Sequence, residues 1–207
     1  MLNNLLKVIS FGCLTAGELY VRSIIKKKFT ETLYREHASK ISRNYVALSH
    51  AITAFTLTGL YQIVHLKFLY EMMSILSTGY FLFDLYYIIS FENINFLRLL
   101  FIYHHLSSIY ILTYEPDCLV YKIIFWAEIS NIPTYIVYHL IKTKPTSETL
   151  KRWKTIQKIV YTIVRIPILG YYSHYIYLNI EDKTPFFIGF PVYLMGIIWT
   201  LFILVSN

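Results

Sequence analysis

The chain has 207 residues, of which 56% are hydrophobic and only 15% are charged, and its mean hydropathy is +0.49. Ordinary soluble domains carry roughly 25% charged residues, so this composition excludes a typical water-soluble protein and indicates a membrane protein. The net charge of +7 does not indicate nucleic-acid binding, because the basic residues lie in short segments between apolar runs, where membrane topology explains them.

Seven apolar runs are long enough to cross a bilayer, which takes about 20 residues of helix. Helices are expected because lipid offers backbone groups no hydrogen-bond partner, and the runs do not alternate in polarity as transmembrane strands do. The first run carries Lys7 and Glu18 and lacks a convincing cleavage site, so we interpret it as a span and not as a cleaved signal. Pro133 and Pro167 predict local kinks within two spans. In chain order, the predicted spans are Leu5–Ile24, Asn44–Val64, Met72–Phe91, Phe96–Thr113, Leu119–Ile141, Ile156–Leu178 and Phe186–Ser206.

The basic residues predict the orientation of these spans. Of the 19 lysines and arginines, seven lie in segment 22–43 and six in segment 142–158. With seven spans, both segments fall on the same side of the membrane. The positive-inside rule then predicts that both are cytosolic, that the N-terminus is lumenal or external, and that the C-terminus is cytosolic.

A few ionisable residues remain inside the predicted spans. A charge at the bilayer centre costs at least about 2.5–3.5 kcal/mol, so these side chains need partners or water. At about 1.5 Å per residue, five of them from five different spans fall at comparable depths, roughly 9–20 Å from the cytosolic ends: His50, Asp84, His104, Glu128 and Arg165. This agreement predicts a common interior cavity. The alternative is purely structural, in which Asp84 or Glu128 pairs with Arg165 and holds the helices together.

The adjacent pair His104–His105 is the strongest chemical signal. Neighbouring side chains on a helix point about 100° apart, so one imidazole can face the cavity while the other meets a neighbouring helix. Imidazole suits proton transfer near neutral pH. The sequence contains no nucleophile elbow, no Gly-rich phosphate loop and no zinc-ligand spacing. The His, Asp and Glu side chains within the spans could bind a metal, but we predict no metal site.

Four segments in this order resemble the TLC domain family, which includes the ceramide synthases, the TRAM proteins and the TLC-domain-containing proteins. They are Ser77-Thr-Gly-Tyr-Phe-Leu-Phe-Asp84, Tyr103-His-His105, Ala127-Glu-Ile-Ser-Asn-Ile-Pro133, and Arg165 in the next span. In addition, Arg43-Asn-Tyr-Val-Ala-Leu-Ser-His50 resembles the family's opening helix. The resemblance implies an all-α, polytopic membrane protein of about seven transmembrane helices. Six of them would form a bundle or barrel around a central cavity in a TLC domain at residues 42–207, after an N-terminal helix and basic cytosolic loop at residues 1–41. It also implies residence in the endoplasmic reticulum, a connected endomembrane or the plasma membrane.

The resemblance also implies site residues. In ceramide synthases the paired histidines lie at the acyl-transfer site, so His104, His105 and Asp84 would be catalytic, with acyl-CoA as co-substrate and no other cofactor. The synthase pattern continues with aspartates, whereas no acid follows here before Glu115, and the TLC-domain-containing proteins resemble this chain more closely. The predicted cavity-lining residues are His50, Tyr80, Glu128, Ser130, Arg165 and Trp199.

Three functions are compatible with these residues. The first is membrane lipid homeostasis, trafficking or sensing through an intramembrane cavity that binds membrane lipids. The second is a ceramide-synthase-like N-acyltransferase that joins an acyl chain from acyl-CoA to a sphingoid base through His104 and His105. The third, implied by the family alone, is a helper in protein translocation or export.

Overall fold

A computed structural model describes residues 2–28, 32–113, 118–143 and 146–205 of the chain. The described residues form α-helices and one π-helical turn and contain no strand, which confirms the predicted all-α class. Glu115 lies outside these ranges, as do residues 29–31 and 144–145 of the two basic segments. The helices are α1 (Leu2–Lys28), α2 (Thr32–Val64), α3 (Lys67–Phe91), α4 (Phe96–Thr113), α5 (Cys118–Thr143), α6 (Ser147–Ile163), α7 (Leu169–Asn179) and α8 (Thr184–Val205), and the π-helical turn Val164–Ile168 joins α6 to α7.

Four of the described helices are long and apolar enough to cross a membrane: α1 over Asn4–Lys27, α3, α4 and α8. The protein is therefore membrane-embedded. Helices α2 and α5 contain no continuous stretch that is as apolar, because polar side chains interrupt them, such as Asn44 and His50 in α2 and Glu128 in α5. The rod formed by α6 and α7 begins with a hydrophilic stretch of basic residues.

The helices extend further than the apolar runs that predict them. The segment 22–43 was expected to be a connection, but α1 continues to Lys28 and α2 begins at Thr32. Lysine and arginine are good helix formers, so hydropathy locates the apolar part of a helix and not its ends. The predicted domain boundary between residues 41 and 42 consequently lies inside α2. Likewise, α6 begins within segment 142–158, where Thr146 caps it by accepting a hydrogen bond from the Thr149 amide.

The packing brings most helices into contact along one closed series of neighbours. Helix α2 packs on α3 and α5, α3 on α4, and α4 on α8; α8 contacts α6, the π-helical turn and α7, and α6 packs back on α5. The side chains of Met73, Phe83 and Tyr121 are almost fully buried in the main hydrophobic core.

Helix α1 packs on the outer side of this arrangement, against α2 and α3. Its contact with α3 depends on Gly79, because a Cβ atom there would lie only 2.7 Å from Ser10 Cβ. Only glycine allows the two helices to approach this closely.

The two prolines expected to kink their spans behave differently. Helix α5 continues through Pro133, whereas Pro167 lies inside the π-helical turn. Proline has no N–H and its ring collides with the carbonyl four residues earlier in an α-helix, which the wider turn accommodates. Arg165 lies on this turn and is buried.

Candidate functional site

Asp84 of α3 lies at the centre of a buried polar cluster. Arg43 of α2 donates through Nε to Asp84 Oδ1 at 2.6 Å and through Nη2 to Oδ2 at 2.9 Å. His105 of α4 places Nε2 at 2.7 Å from the same Oδ2, where its N–H donates to the carboxylate. The bidentate ion pair and the histidine thus join three helices through one carboxylate.

Arg43 also contacts the end of α3. Its Nη1 donates to Glu92 Oε1, and Glu92 in turn pairs with Arg98 of α4. The Arg43 guanidinium lies 4.6 Å from the centre of the Tyr87 ring, in a cation–π contact. Arg43 was expected in the basic cytosolic loop, yet it is the cation that neutralises Asp84.

Arg165 has neutral hydrogen-bond partners, so the structural alternative, in which Asp84 or Glu128 pairs with Arg165, is wrong. Its Nε donates to Ser130 Oγ at 3.0 Å, and its Nη2 donates to Asn131 Oδ1 at 2.8 Å and to the Ala127 carbonyl at 3.3 Å. Within the described parts of the chain, no carboxylate oxygen lies within 4.0 Å of the guanidinium. The acceptors lie on one face of α5. Ser130 Oγ and Asn131 Oδ1 bond directly to the guanidinium, whereas the Glu128 carboxylate lies more than 4.0 Å away.

Glu128 and His50 meet in a separate buried contact. Glu128 Oε2 accepts a hydrogen bond from Asn131 Nδ2 at 3.1 Å, and Glu128 Oε1 lies 3.8 Å from His50 Nδ1. His50 Nε2 lies 3.0 Å from Ser77 Oγ, and the imidazole stacks on the Tyr80 ring at 4.0 Å between centres. These contacts hold the His50 ring, which extends from α2, against α3 and α5.

The two adjacent histidines have different environments. His105 is buried and bonded to Asp84, whereas His104 is only partly buried. The His104 ring lies 5.2 Å from the His105 ring and has no hydrogen-bond partner among the residues that the structure describes. His104 is therefore the histidine whose nitrogen atoms are available to a ligand.

Two cavities between the described helices include predicted site residues in their linings. The first, which we call the polar chamber, has a volume of about 350 Å³, and its lining includes Arg43, Asp84, Arg98, His105, Tyr135 and Trp199. The second, the apolar chamber, has a volume of about 320 Å³, and its lining includes Leu112, Leu119, Ile176, Phe186 and Phe190. The two chambers share four lining residues: His104, Asn131, Arg165 and Val192. Each volume is typical of small-molecule sites, which span about 300–1,000 Å³.

The residues predicted for the site fall into three groups. Those on the wall of the polar chamber are Tyr80, Asp84, His104, His105, Arg165 and Trp199. Glu128 lines the apolar chamber. His50 and Ser130 differ from the expectation that they line a cavity, because both are buried behind the walls, where His50 supports Tyr80 and Ser130 supports Arg165.

Arg43 and Asn131 are among the lining residues that the sequence did not predict for the site. Arg43 precedes the first apolar residue of its predicted span and falls in a predicted loop, and Asn131 occurs only within one of the resembling segments. A signal for Asn131 was present, because it lies one residue from Ser130 and three from Glu128 on α5.

Fold and site together define an all-α, membrane-embedded protein with two neighbouring cavities, one lined by polar and charged side chains and the other mainly by apolar ones. No protein-family model matches the chain, and comparisons with curated proteins and with solved structures find no significant match. The resemblance to the TLC family therefore depends on the sequence segments that run from Arg43 to Arg165.

Proposed function

We propose that this protein is a multi-pass membrane protein of TLC type that binds an amphiphilic lipid within its helix bundle and acts in membrane lipid homeostasis, trafficking or sensing. The observation that carries this proposal is that the polar and apolar chambers share His104 and Arg165 in their linings. An amphiphile needs polar groups around its head and apolar side chains along its tail, and the two chambers offer these in sequence.

The proposed topology has seven crossings, with α6, the π-helical turn and α7 acting as one. Six of these form a ring around the cavity and α1 lies outside it, which the order of neighbouring helices supports. The basic residues cluster at the end of the bundle that carries Lys40, Arg43 and Arg98, and this end is proposed to face the cytosol. We place the protein in the endoplasmic reticulum or a connected membrane.

The chambers lie at different depths along the bundle. The lining of the polar chamber includes Lys40 and Arg98, at the basic end of the bundle. The lining of the apolar chamber extends from Arg165 on the π-helical turn along α7 to Ile180, just beyond its end, a distance of roughly 22 Å at about 1.5 Å per residue. That length suits one extended long acyl chain, so the lipid would lie with its head towards the cytosol.

Filling the apolar chamber tests this proposal. Gly189 lines the chamber, and a Cβ atom there would make an ordinary 3.5 Å contact with Ile111 Cδ1. Gly189→Leu should therefore fold but occupy the space of the chain. We expect the purified variant to retain much less lipid than the wild type when extracts are analysed by mass spectrometry.

Gly12→Leu is the matched control, because Gly12 of α1 faces open space, with no atom within 4 Å of the position that a Cβ would take. It adds the same side chain without touching the cavity and should leave bound lipid unchanged. Equal lipid retention in Gly189→Leu and the wild type, with both proteins folded, would refute lipid binding in the apolar chamber.

A second function, N-acyl transfer, is favoured by the contrast between the two histidines. His105 is held by Asp84, while His104 has open nitrogen atoms where the chambers meet. In this reaction the amine of a sphingoid base attacks the thioester carbonyl of acyl-CoA, the C–S bond breaks, and CoA leaves as the thiol. His104 would accept the proton from the amine and return it to the leaving sulfur.

An assay with purified protein, a sphingoid base and labelled acyl-CoA tests this second function. We expect amide formation by the wild type and its loss in His104→Ala. His105→Ala should reduce turnover through the orientation of Asp84, and Arg152→Gln, at an exposed site, should have no effect. If the wild type forms no amide, the enzyme proposal is wrong, while lipid binding is judged separately by the chamber-filling variant.

A further inference from the structure

We infer that the bound amphiphile carries an oxyanion in its headgroup, a carboxylate or a phosphate, which Arg165 binds where the two chambers meet. This inference rests on the proposed function, since it names the ligand class of the same cavity. It is carried by the charge balance around Arg165.

Arg165 is a buried cation without a directly paired anion. The residue is 8% exposed, and its three acceptors are the hydroxyl of Ser130, the amide oxygen of Asn131 and the carbonyl of Ala127. Burial of a charge is costly unless a counter-charge accompanies it. Glu128 is linked to Arg165 only indirectly, because Asn131 forms a hydrogen bond with each of them. The guanidinium therefore has no anion in direct contact among the described residues and would be stabilised by one.

The Arg165 side chain also has space in which to meet a ligand. Its Nη1 makes no hydrogen bond to any described residue. Gly196 of α8 packs against the arginine, with the position of a Cβ atom only 3.3 Å from Arg165 Cδ and 3.8 Å from Nη1. A larger residue would cover this side of the guanidinium. Because residue 196 is glycine, Arg165 lines both chambers.

The acidic residues of the polar chamber do not offer a comparable place for a cationic headgroup, and Glu128 of the apolar chamber is bonded to Asn131 and lies 3.8 Å from His50. Both oxygens of Asp84 are bonded, to Arg43 and His105. Glu92 is paired with Arg43 and Arg98. An ammonium group would have to displace an arginine to reach these carboxylates, whereas an anion can bind Arg165 without displacing any charged group.

Both oxyanions fit the chemistry of the guanidinium. Arginine binds carboxylates and phosphates through parallel N–H groups. His104, on the same junction, can donate a further hydrogen bond. Lys40 and Arg98, which also line the polar chamber, add positive potential that attracts an anion.

A series of ligands with one chain and different heads tests the inference on the unmodified protein. The probes are oleic acid, oleoyl lysophosphatidate, monooleoylglycerol and oleylamine, each titrated into purified protein in a neutral detergent. We expect one or both anions to bind about 10- to 100-fold tighter than monooleoylglycerol, the range of a hydrogen bond to a charged group. Oleylamine should bind most weakly. Tighter binding of the carboxylate or of the phosphate then identifies the source of the oxyanion.

Variants of Arg165 provide the second measurement. Arg165→Gln should bind anionic and neutral probes alike, and Arg165→Lys should keep part of the preference because it keeps the charge but not the planar fork. Arg152→Gln removes an exposed cation from α6 and should leave the preference intact. If Arg165→Gln does not fold, the wild-type series and Arg165→Lys still decide.

The outcomes separate the inference from the proposed function. If no probe binds, lipid binding itself is wrong and the inference falls with it. If the probes bind but monooleoylglycerol or oleylamine binds as tightly as both anions, the oxyanion inference is overturned while lipid binding stands. Persistence of the anion preference in Arg165→Gln would also overturn it.

Discussion

Replacing Arg43 with glutamine should destabilise the protein more than any loss of a surface cation. The change leaves the Asp84 carboxylate, whose side chain is 7% exposed, without its counter-charge. Breaking a buried ion pair by removing one partner costs about 3–5 kcal/mol. The Arg43 side chain is 21% exposed and water can enter through the polar chamber, so we expect the lower end, about 3 kcal/mol.

Thermal unfolding in detergent measures this effect. For a chain of this size, about 2–4 °C of Tm corresponds to 1 kcal/mol, so Arg43→Gln should lower Tm by about 6–12 °C. The double variant Arg43→Gln/Asp84→Asn should recover much of the loss. It removes both charges together, and the amide at position 84 still accepts the bond from His105.

Arg152→Gln is the matched control. It breaks an ion pair with Glu148 whose side chains are 75% and 72% exposed, and such pairs contribute about 0–1 kcal/mol. If Arg43→Gln lowers Tm no further than this control, or if the double variant is as unstable as the sum of its single changes, the Arg43–Asp84 pair does not stabilise the bundle.

Two other predictions concern helix contacts. Gly79→Ala should weaken the packing of α1 on α3, because the added Cβ would lie only 2.7 Å from Ser10 Cβ. Overpacking of this kind costs about 1–3 kcal/mol of stability. The control is Gly17→Ala, where the added Cβ meets open space, and it should leave Tm unchanged or raise it. Ser130→Ala should cost about 1–3 kcal/mol, since Arg165 Nε would lose a buried acceptor, and a Tm equal to that of the wild type would show that water replaces the hydroxyl.

The helices could be predicted from the sequence because long apolar runs indicate membrane spans, and in lipid a helix satisfies all hydrogen bonds of its own backbone. Helix α4 has the predicted bounds, Phe96–Thr113. The extension of α2 back to Thr32 could not be read from hydropathy, since its first residues are polar but still favour helix. The π-helical turn at Pro167 was anticipated only as an unspecified irregularity.

The sequence predicted most of the polar residues of the site, but it did not predict which of their side chains contact each other. The position of each residue along its span predicts that Asp84, Glu128 and Arg165 lie at comparable depths in the membrane. Depth alone does not predict how each helix is rotated about its own axis. Rotation decides that Asp84 meets Arg43, and that Arg165 meets Ser130. Helical geometry predicts different environments for the two adjacent histidine rings, and only the packing of α4 on α3 assigns His105 to Asp84.

Photo-crosslinking with a fatty acid that carries a diazirine in mid-chain tests the central claim most directly. Peptide mapping of the crosslinked protein should place the label on residues of the apolar chamber, such as Leu112, Ile176 and Val192, and excess oleic acid should abolish it. Labels confined to outward-facing side chains, such as Leu201 and Phe202 of α8, with no competition by oleic acid, would contradict the account.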